Sequence, residues 1–212
     1  MSRLRIAVFI SGGGSNLQAL IDGVNNNTLP IEIALIISSR SDAYGLIRGK
    51  ENGIKSIALD KKALPSQVEV KTEMLRLLEE ENIDLIVLAG YLQLIPKEII
   101  AKYTNRIINI HPSLIPSFSG KGYYGERVHE AAYNRGVKLS GATVHFVNEE
   151  MDAGPIILQQ AVDIDYTDTP KEIQEKVLCL EHKLLPMAVK LIAEGRLRVV
   201  NNRVEIKSEV QS

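Results

Sequence analysis

Five short runs, Arg5–Ser11, Ile31–Ser39, Ser56–Asp60, Asp84–Tyr91 and Arg106–His111, are apolar at successive rather than alternate positions. That is the pattern of strands covered on both faces. Between them lie stretches with helical spacing, at Asn16–Val24, Ala43–Glu51, Ser66–Glu80 and Pro96–Tyr103. In the third, Val68, Met74, Leu75, Leu77 and Leu78 form an apolar side, and Glu69, Lys71, Glu73, Arg76 and Glu79–Glu81 form a polar one. Regular alternation of strand and helix predicts right-handed βαβ units. The expected class is α/β, with an open, mostly parallel, Rossmann-like sheet and helices on both faces.

The texture changes after Pro116. Pro116–Gly125 carries three glycines and two adjacent tyrosines without apolar periodicity and reads as an exposed loop. A helix over Glu126–Asn134 follows, closed by Gly136. Leu139–Asn148 alternates, with Ala142, Val144, Phe146 and Asn148 on one side and Thr143, His145 and Val147 on the other. Together with Gly154–Ile164 it suggests less buried strands pairing antiparallel at one end of the sheet. Thr169 and Pro170 suit the N-cap and first position of a long helix reaching Glu194, where Gly195 stops it. Leu197–Val200 and Val204–Ile206 flank Asn201-Asn202, a hairpin signature. There is no internal repeat or linker, so residues 1–212 read as one domain, with 196–207 as an appendage.

Composition narrows the classes of partner. The 25 Lys and Arg nearly balance 26 Asp and Glu, leaving a net charge of −1. Counterion release from a polyanion is therefore not available as a driving force, and a general nucleic-acid binder is not expected. No apolar run approaches the roughly 20 residues of a membrane span. Ile6–Ile10 is too short for a secretory h-region. The single Cys gives no intrachain disulfide. These features predict a cytoplasmic protein without a membrane partner.

In open parallel sheets ligands bind beyond the carboxyl ends of the strands, so the residues after each strand are the first candidates. Ser11-Gly12-Gly13-Gly14-Ser15-Asn16-Leu17 follows the first strand and enters a helix. Glycines allow close backbone approach, and the leftover N–H groups of the helix start favour an anion such as phosphate. The dinucleotide fingerprint is missing, because its third glycine position is Leu17 and the second strand ends in Ser38-Ser39-Arg40 without a ribose-binding carboxylate. No Gly-Lys-Ser/Thr is present either. What remains is a single phosphomonoester.

Asn109 and His111 interrupt an apolar strand two residues apart, just before Pro112 and Pro116. They therefore point to the same side. Asp152, in a turn stiffened by Pro155, is placed to reach toward His111, and a carboxylate beside an imidazole favours its charged form. Thr143 is a candidate to position Asp152 or a water. Glu149 and Glu150 are read as solvent-facing, His145 as structural, and His129 and His182 as solvated residues on helices. Cys179 reads as a packed thiol. No His, Cys, Asp or Glu spacing suggests a metal site.

Ile10–Ala19, Val87–Tyr91, Asn109-Ile110-His111-Pro112-Ser113-Leu114, Gly141–Val147 and Met151-Asp152-Ala153-Gly154-Pro155-Ile156-Ile157 resemble, in order, the motifs of the phosphoribosylglycinamide formyltransferases. The resemblance runs from the first strand to the long last helix. It implies the formyltransferase fold and transfer of a formyl group from 10-formyltetrahydrofolate, as co-substrate, to the amine of glycinamide ribonucleotide in purine synthesis. It implies that Gly14, Ser15 and Asn16 bind the phosphate, and that Asn109, His111 and Asp152 form the catalytic group. Leu178, Cys179, Leu180 and Glu181 would touch the ribonucleotide, with Glu181 as the hydrogen-bonding side chain. Gln67, Leu92, Gln93, Leu94, Ile95, Asn109 and Asn148, Glu149, Glu150, Met151 and Asp152 would contact the folate.

Many relatives carry Arg at the position of Gln67 and Met-Arg-Ile-Leu in place of Leu92-Gln93-Leu94-Ile95, and loop Phe118–Tyr124 matches only loosely. Two relatives with shared chemistry, formyltetrahydrofolate hydrolase and methionyl-tRNA formyltransferase, normally carry an extra domain for which the chain leaves no room. A silent nucleotide-binding module on the same fold is the remaining rival. It gains nothing from keeping Asn109, His111 and Asp152 together. A monomer or weak homodimer is expected.

Overall fold

A computed structural model describes residues 3–60 and 66–208. Its seven-stranded sheet has the order β3-β2-β1-β4-β5-β6-β7 and is mostly parallel, and a separate two-stranded hairpin follows. The chain clusters into two compact units, Met1–Ile108 and Asn109–Ser212, and passes from one to the other within a single strand.

The first unit holds β1 (Leu4–Ile10), β2 (Ile31–Ser38), β3 (Lys55–Ala58) and β4 (Leu85–Leu88). The pairs β1/β2, β1/β4 and β2/β3 are parallel. Ile6 to Ile10 are fully buried at five consecutive positions. Because alternate residues face opposite sides of a sheet, both faces are covered there. The helices are α1 (Ser15–Asn25), α2 (Tyr44–Glu51), α3 (Gln67–Glu80) and α4 (Lys97–Lys102).

In α3, Ser66 accepts from Glu69 N–H while the Glu69 side chain returns to the Ser66 backbone, a reciprocal cap that fixes where the helix begins. Met74, Leu77 and Leu78 face the core, whereas Val68 is 65% exposed. The apolar stripe expected to start at Val68 thus begins a turn and a half later, since the first helical turn extends past the surface it would cover.

The second unit contains the end of β5 (Ile107–His111), then α5 (Glu126–Arg135), β6 (Leu139–Phe146), β7 (Ile156–Asp163), α6 (Pro170–Ala193) and the hairpin β8 (Leu197–Val200) and β9 (Arg203–Ile206). β6 and β7 pair antiparallel, with a register shift between Val144 and His145. Alternation in β6 does not mark one wet face, because every residue from Ser140 to Phe146 is buried. The polar side chains at alternate positions are there for hydrogen bonding rather than solvation. The solvent-facing strand is β7, which lies at the sheet edge. Thr169 and Glu172 cap α6 reciprocally, with Pro170 in its first turn, as the Thr-Pro pair predicts.

Among the described residues no helix is long and apolar enough to cross a membrane.

Candidate functional site

In the first unit, Gly14 has φ +71° and ends the loop as the N-cap of α1 without any side-chain cap. The first intrahelical bond runs from Gln18 N–H to Gly14 O. That places the N–H groups of Ser15, Asn16 and Leu17 outside the helix's own ladder.

The loop is held from behind by α2. Gly45 N–H donates to Gly12 O at 3.1 Å, and Arg48 Nε donates to Gly13 O at 2.9 Å. In a trans peptide the C=O and N–H point in opposite directions. Fixing those two carbonyls therefore turns the Gly13 and Gly14 N–H groups away from α2. A Cβ on Gly14 would sit 2.9 Å from Gly45 Cα, and one on Gly45 would collide with Ile10 Cδ1. The two glycines allow this backbone-to-backbone contact. Gly45 and Arg48 were not singled out in the sequence, because their partners are carbonyl oxygens about 35 positions away.

The loops after β1, β2 and β4 are also linked. Ser11 Oγ lies 2.6 Å from Ser39 Oγ and accepts from Leu92 N–H at 2.8 Å. Gln67, Gln93 and Leu94 line one cleft of about 620 Å³, with Arg40, Asp60 and Tyr91 among the other walls. Burial pushes the Tyr91 phenol up to about 12, so it stays protonated there. Leu92 and Leu94 are exposed and Ile95 is buried. The resemblance-implied contact residues of this unit thus share a cleft only in part.

In the second unit the polar residues at the ends of β5 and β6 close around Asp152. Asp152 Oδ2 lies 3.7 Å from His111 Nδ1, and Oδ1 lies 3.7 Å from His145 Nε2. Gly120 N–H donates to Oδ2 at 2.8 Å. Asp152 has φ +53°, a left-handed conformation that Asp tolerates better than most residues, and this aims its side chain inward from the turn. His111 Nε2 donates to Phe118 O at 2.9 Å, which leaves Nδ1 as the nitrogen facing the carboxylate. Asn109 Nδ2 lies 3.2 Å from His145 Nε2. Asn109 and His111 are therefore tied into one cluster, with Asp152 between two imidazoles.

Several expectations change here. His145, read from the sequence as structural, is the second imidazole beside Asp152 and is 2% exposed. Burial pushes it below the ordinary histidine value, opposed by Phe146 O and Asp152 and reinforced by His111. His129 is 4% exposed, not solvated, and burial lowers it to about 4. The Thr143 hydroxyl bonds to groups other than Asp152: it donates to Ser113 O at 2.6 Å and accepts from Ile115 N–H and Gln159, so it fixes the turn after β5. Cys179 is exposed rather than packed.

Glu149 and Glu150 face solvent as expected, Met151 is also exposed, and Asn148 Oδ1 accepts from Glu150 N–H. Glu150, Met151 and Asp152 border a second cavity of about 640 Å³, which the hairpin residues Asn202–Val204 close on another side. Leu178–Glu181 form one turn of α6, of which Leu180 and Glu181 are buried. Four consecutive helical positions cannot share one face. Among the described residues no group of three or more His, Cys, Asp or Glu is placed to hold a metal ion.

The formyl transferase family profile matches residues 4–189. The chain is 41% identical over 197 residues to the chloroplastic phosphoribosylglycinamide formyltransferase of Arabidopsis thaliana, covering 92% of this chain and 68% of the relative. It is 39% identical to the phosphoribosylglycinamide formyltransferase of Haemophilus influenzae, covering 93% and 91% respectively. The crystal structure of glycinamide ribonucleotide transformylase 1 from Symbiobacterium toebii superposes with a TM-score of 0.91 at 41% identity, covering 97% of this chain and 95% of that one.

Proposed function

The chain belongs to the formyl transferase family, and from that premise we propose that it carries a formyl group from 10-formyltetrahydrofolate to the amine of glycinamide ribonucleotide. Its likeness to phosphoribosylglycinamide formyltransferases over more than nine-tenths of its length supports the reaction. The observation that carries the residue assignment is the carboxylate of Asp152 held 3.7 Å from His111 Nδ1, beside Asn109.

Attack of the amine on the formyl carbon builds a tetrahedral centre with a negative oxygen. The amide N–H of Asn109 and a protonated His111 would stabilise that oxygen, and one such donor is typically worth about 2.7–4 kcal/mol. The bond from the formyl carbon to the folate nitrogen then breaks. His111 gives a proton to the leaving nitrogen, and the amine loses one as the new amide forms, so protons balance. Since Nε2 is engaged by Phe118 O, Nδ1 is the nitrogen with a proton to give. Asp152 holds it there electrostatically, and general acid catalysis of this kind contributes roughly 10²–10⁴-fold.

The N–H groups at Gly14, Ser15 and Asn16 would hold the ribonucleotide phosphate, with Glu181 and its helical turn as further ribonucleotide contacts. Leu92–Ile95, Gln67 and Asn148–Asp152 would receive the folate. An assay of formyl loss from the folate with and without glycinamide ribonucleotide tests the reading. Loss dependent on the ribonucleotide, with formylated product, is expected. Formate release without the acceptor would instead identify a hydrolase.

A further inference from the structure

His145 makes two contacts that together leave it one chemical state. Its Nδ1 lies 2.8 Å from Phe146 O, and a carbonyl oxygen only accepts, so Nδ1 carries the hydrogen. In a neutral ring Nε2 then bears a lone pair, and the donor within reach is Asn109 Nδ2 at 3.2 Å. Asp152 Oδ1, at 3.7 Å, is also an acceptor and is beyond hydrogen-bond distance. The groups that act on the ring electrostatically are Asp152, which favours its charge, and His111, which opposes it; burial is the larger influence and opposes it as well.

An amide has two faces that differ only in which atom is the donor. If Asn109 turned by 180°, its carbonyl oxygen would meet the Nε2 lone pair, two acceptors face to face with no proton between them. We propose that His145 is a positioning residue, whose bare Nε2 selects the orientation of the Asn109 amide so that one N–H is anchored and the other is presented to the oxyanion. This rests on the reading of Asn109 as an oxyanion donor. It explains why an imidazole is buried in a strand where an aliphatic side chain would fill the same position more cheaply. A protonated His145 would do the opposite, since an Nε2–H recruits the Asn109 oxygen and turns the donor away.

The test is a double-mutant cycle with steady-state kinetics for both substrates. His145→Leu is expected to lower kcat about 10- to 100-fold, part of the 10²–10³-fold that one oxyanion donor supplies, with each KM within about twofold. His145→Gln, whose carbonyl can accept from Asn109, should recover most of that loss. In an Asn109→Ala background His145→Leu should cost less than about twofold more. Multiplying losses in that background, or an unchanged kcat in the single variant, would overturn the proposal.

Near-normal kcat in Asn109→Ala would instead remove the oxyanion reading beneath it. Nitrogen-15 NMR of the imidazoles in the wild-type protein keeps the idea testable if His145→Leu does not fold. A ring protonated only at Nδ1 near neutral pH is expected, and an Nε2–H tautomer or an imidazolium would refute it.

Discussion

In the function proposed above, the glycine-rich turn after β1 and the polar cluster around Asp152 would meet negative charge by opposite means. The turn works through its backbone: Gly12 and Gly13 carbonyls are tied to Gly45 and Arg48, and the N–H groups face the other way. Side chains matter there mainly by being absent. The cluster works through side chains whose usefulness depends on their neighbours, with Asp152 between His111 and His145 and Asn109 tied to His145. One arrangement suits a charge that is present throughout binding. The other, on the proposed reading, would serve a charge that exists only in the transition state, where preorganised donors contribute to kcat rather than to affinity.

The sharpest way to break that contrast is to remove the imidazole or the carboxylate from the cluster. His111→Ala or Asp152→Asn should each reduce kcat by at least about 10³-fold, with KM and the thermal midpoint little changed. A near-normal kcat would dissolve the catalytic assignment. Taking the phosphate off the ribonucleotide should weaken binding about 10²-fold, mostly in KM, and calorimetry showing equal affinity for the dephosphorylated ribonucleoside would deny the turn its role.

Gly14→Ala perturbs the same turn more gently. The φ of +71° and the 2.9 Å approach to Gly45 Cα should cost about 1–2 kcal/mol of stability. Affinity for the phosphorylated substrate should fall several-fold, while the dephosphorylated analogue binds as it does to wild type. Equal losses for both ligands would mean the loop only scaffolds.

The smallest expected effect concerns stability against pH. The folded-state value of His129 is pushed down to about 4 by burial from an ordinary 6.5. Below pH 6.5 the unfolded chain takes up a proton that the folded one refuses, so its contribution is complete above that pH. It is lost as the pH falls toward 4, by about 2 kcal/mol between pH 7.5 and 5. His145, shifted in the same direction, adds to the slope. The buried Nδ1 of His129 has no hydrogen-bond partner among the described residues, so His129→Leu should flatten this dependence at little cost at pH 7.5. Urea melts at the two pH values measure it, and an unchanged slope would mean that His129 takes up its proton in the folded state too.

Periodicity carried most of the fold. The boundaries of β2, α5, α6 and the final hairpin lie within one or two residues of the expected ones, since the signals are local: Pro30 precedes β2, Gly136 follows α5, Thr169 and Pro170 open α6, and Asn201-Asn202 turns the hairpin. Within Asp84–Tyr91 the strand covers only Leu85–Leu88, because after Ala89, whose N–H still bonds Phe9 O, the chain turns away at Gly90, which is exposed and has φ +79°. Periodicity misled for Val68 and for β6, where burial depends on what covers a face and not on the alternation itself. The shared side of Asn109 and His111 followed from strand geometry. The carboxylate partner was legible as a candidate because the turn around Asp152 carries its own Gly and Pro.

The sequence by itself determined the alternating αβ order, the caps, the glycine turn and the residue types able to do the chemistry. These depend on contacts within a few positions or on periods of the chain. Tertiary structure alone decided that His145 joins the cluster, that Thr143 serves the turn after β5, and that Gly45 and Arg48 orient a loop some 35 residues away. A hydrogen bond needs its donor and acceptor within about 3 Å. No local pattern records which distant group will arrive at that distance.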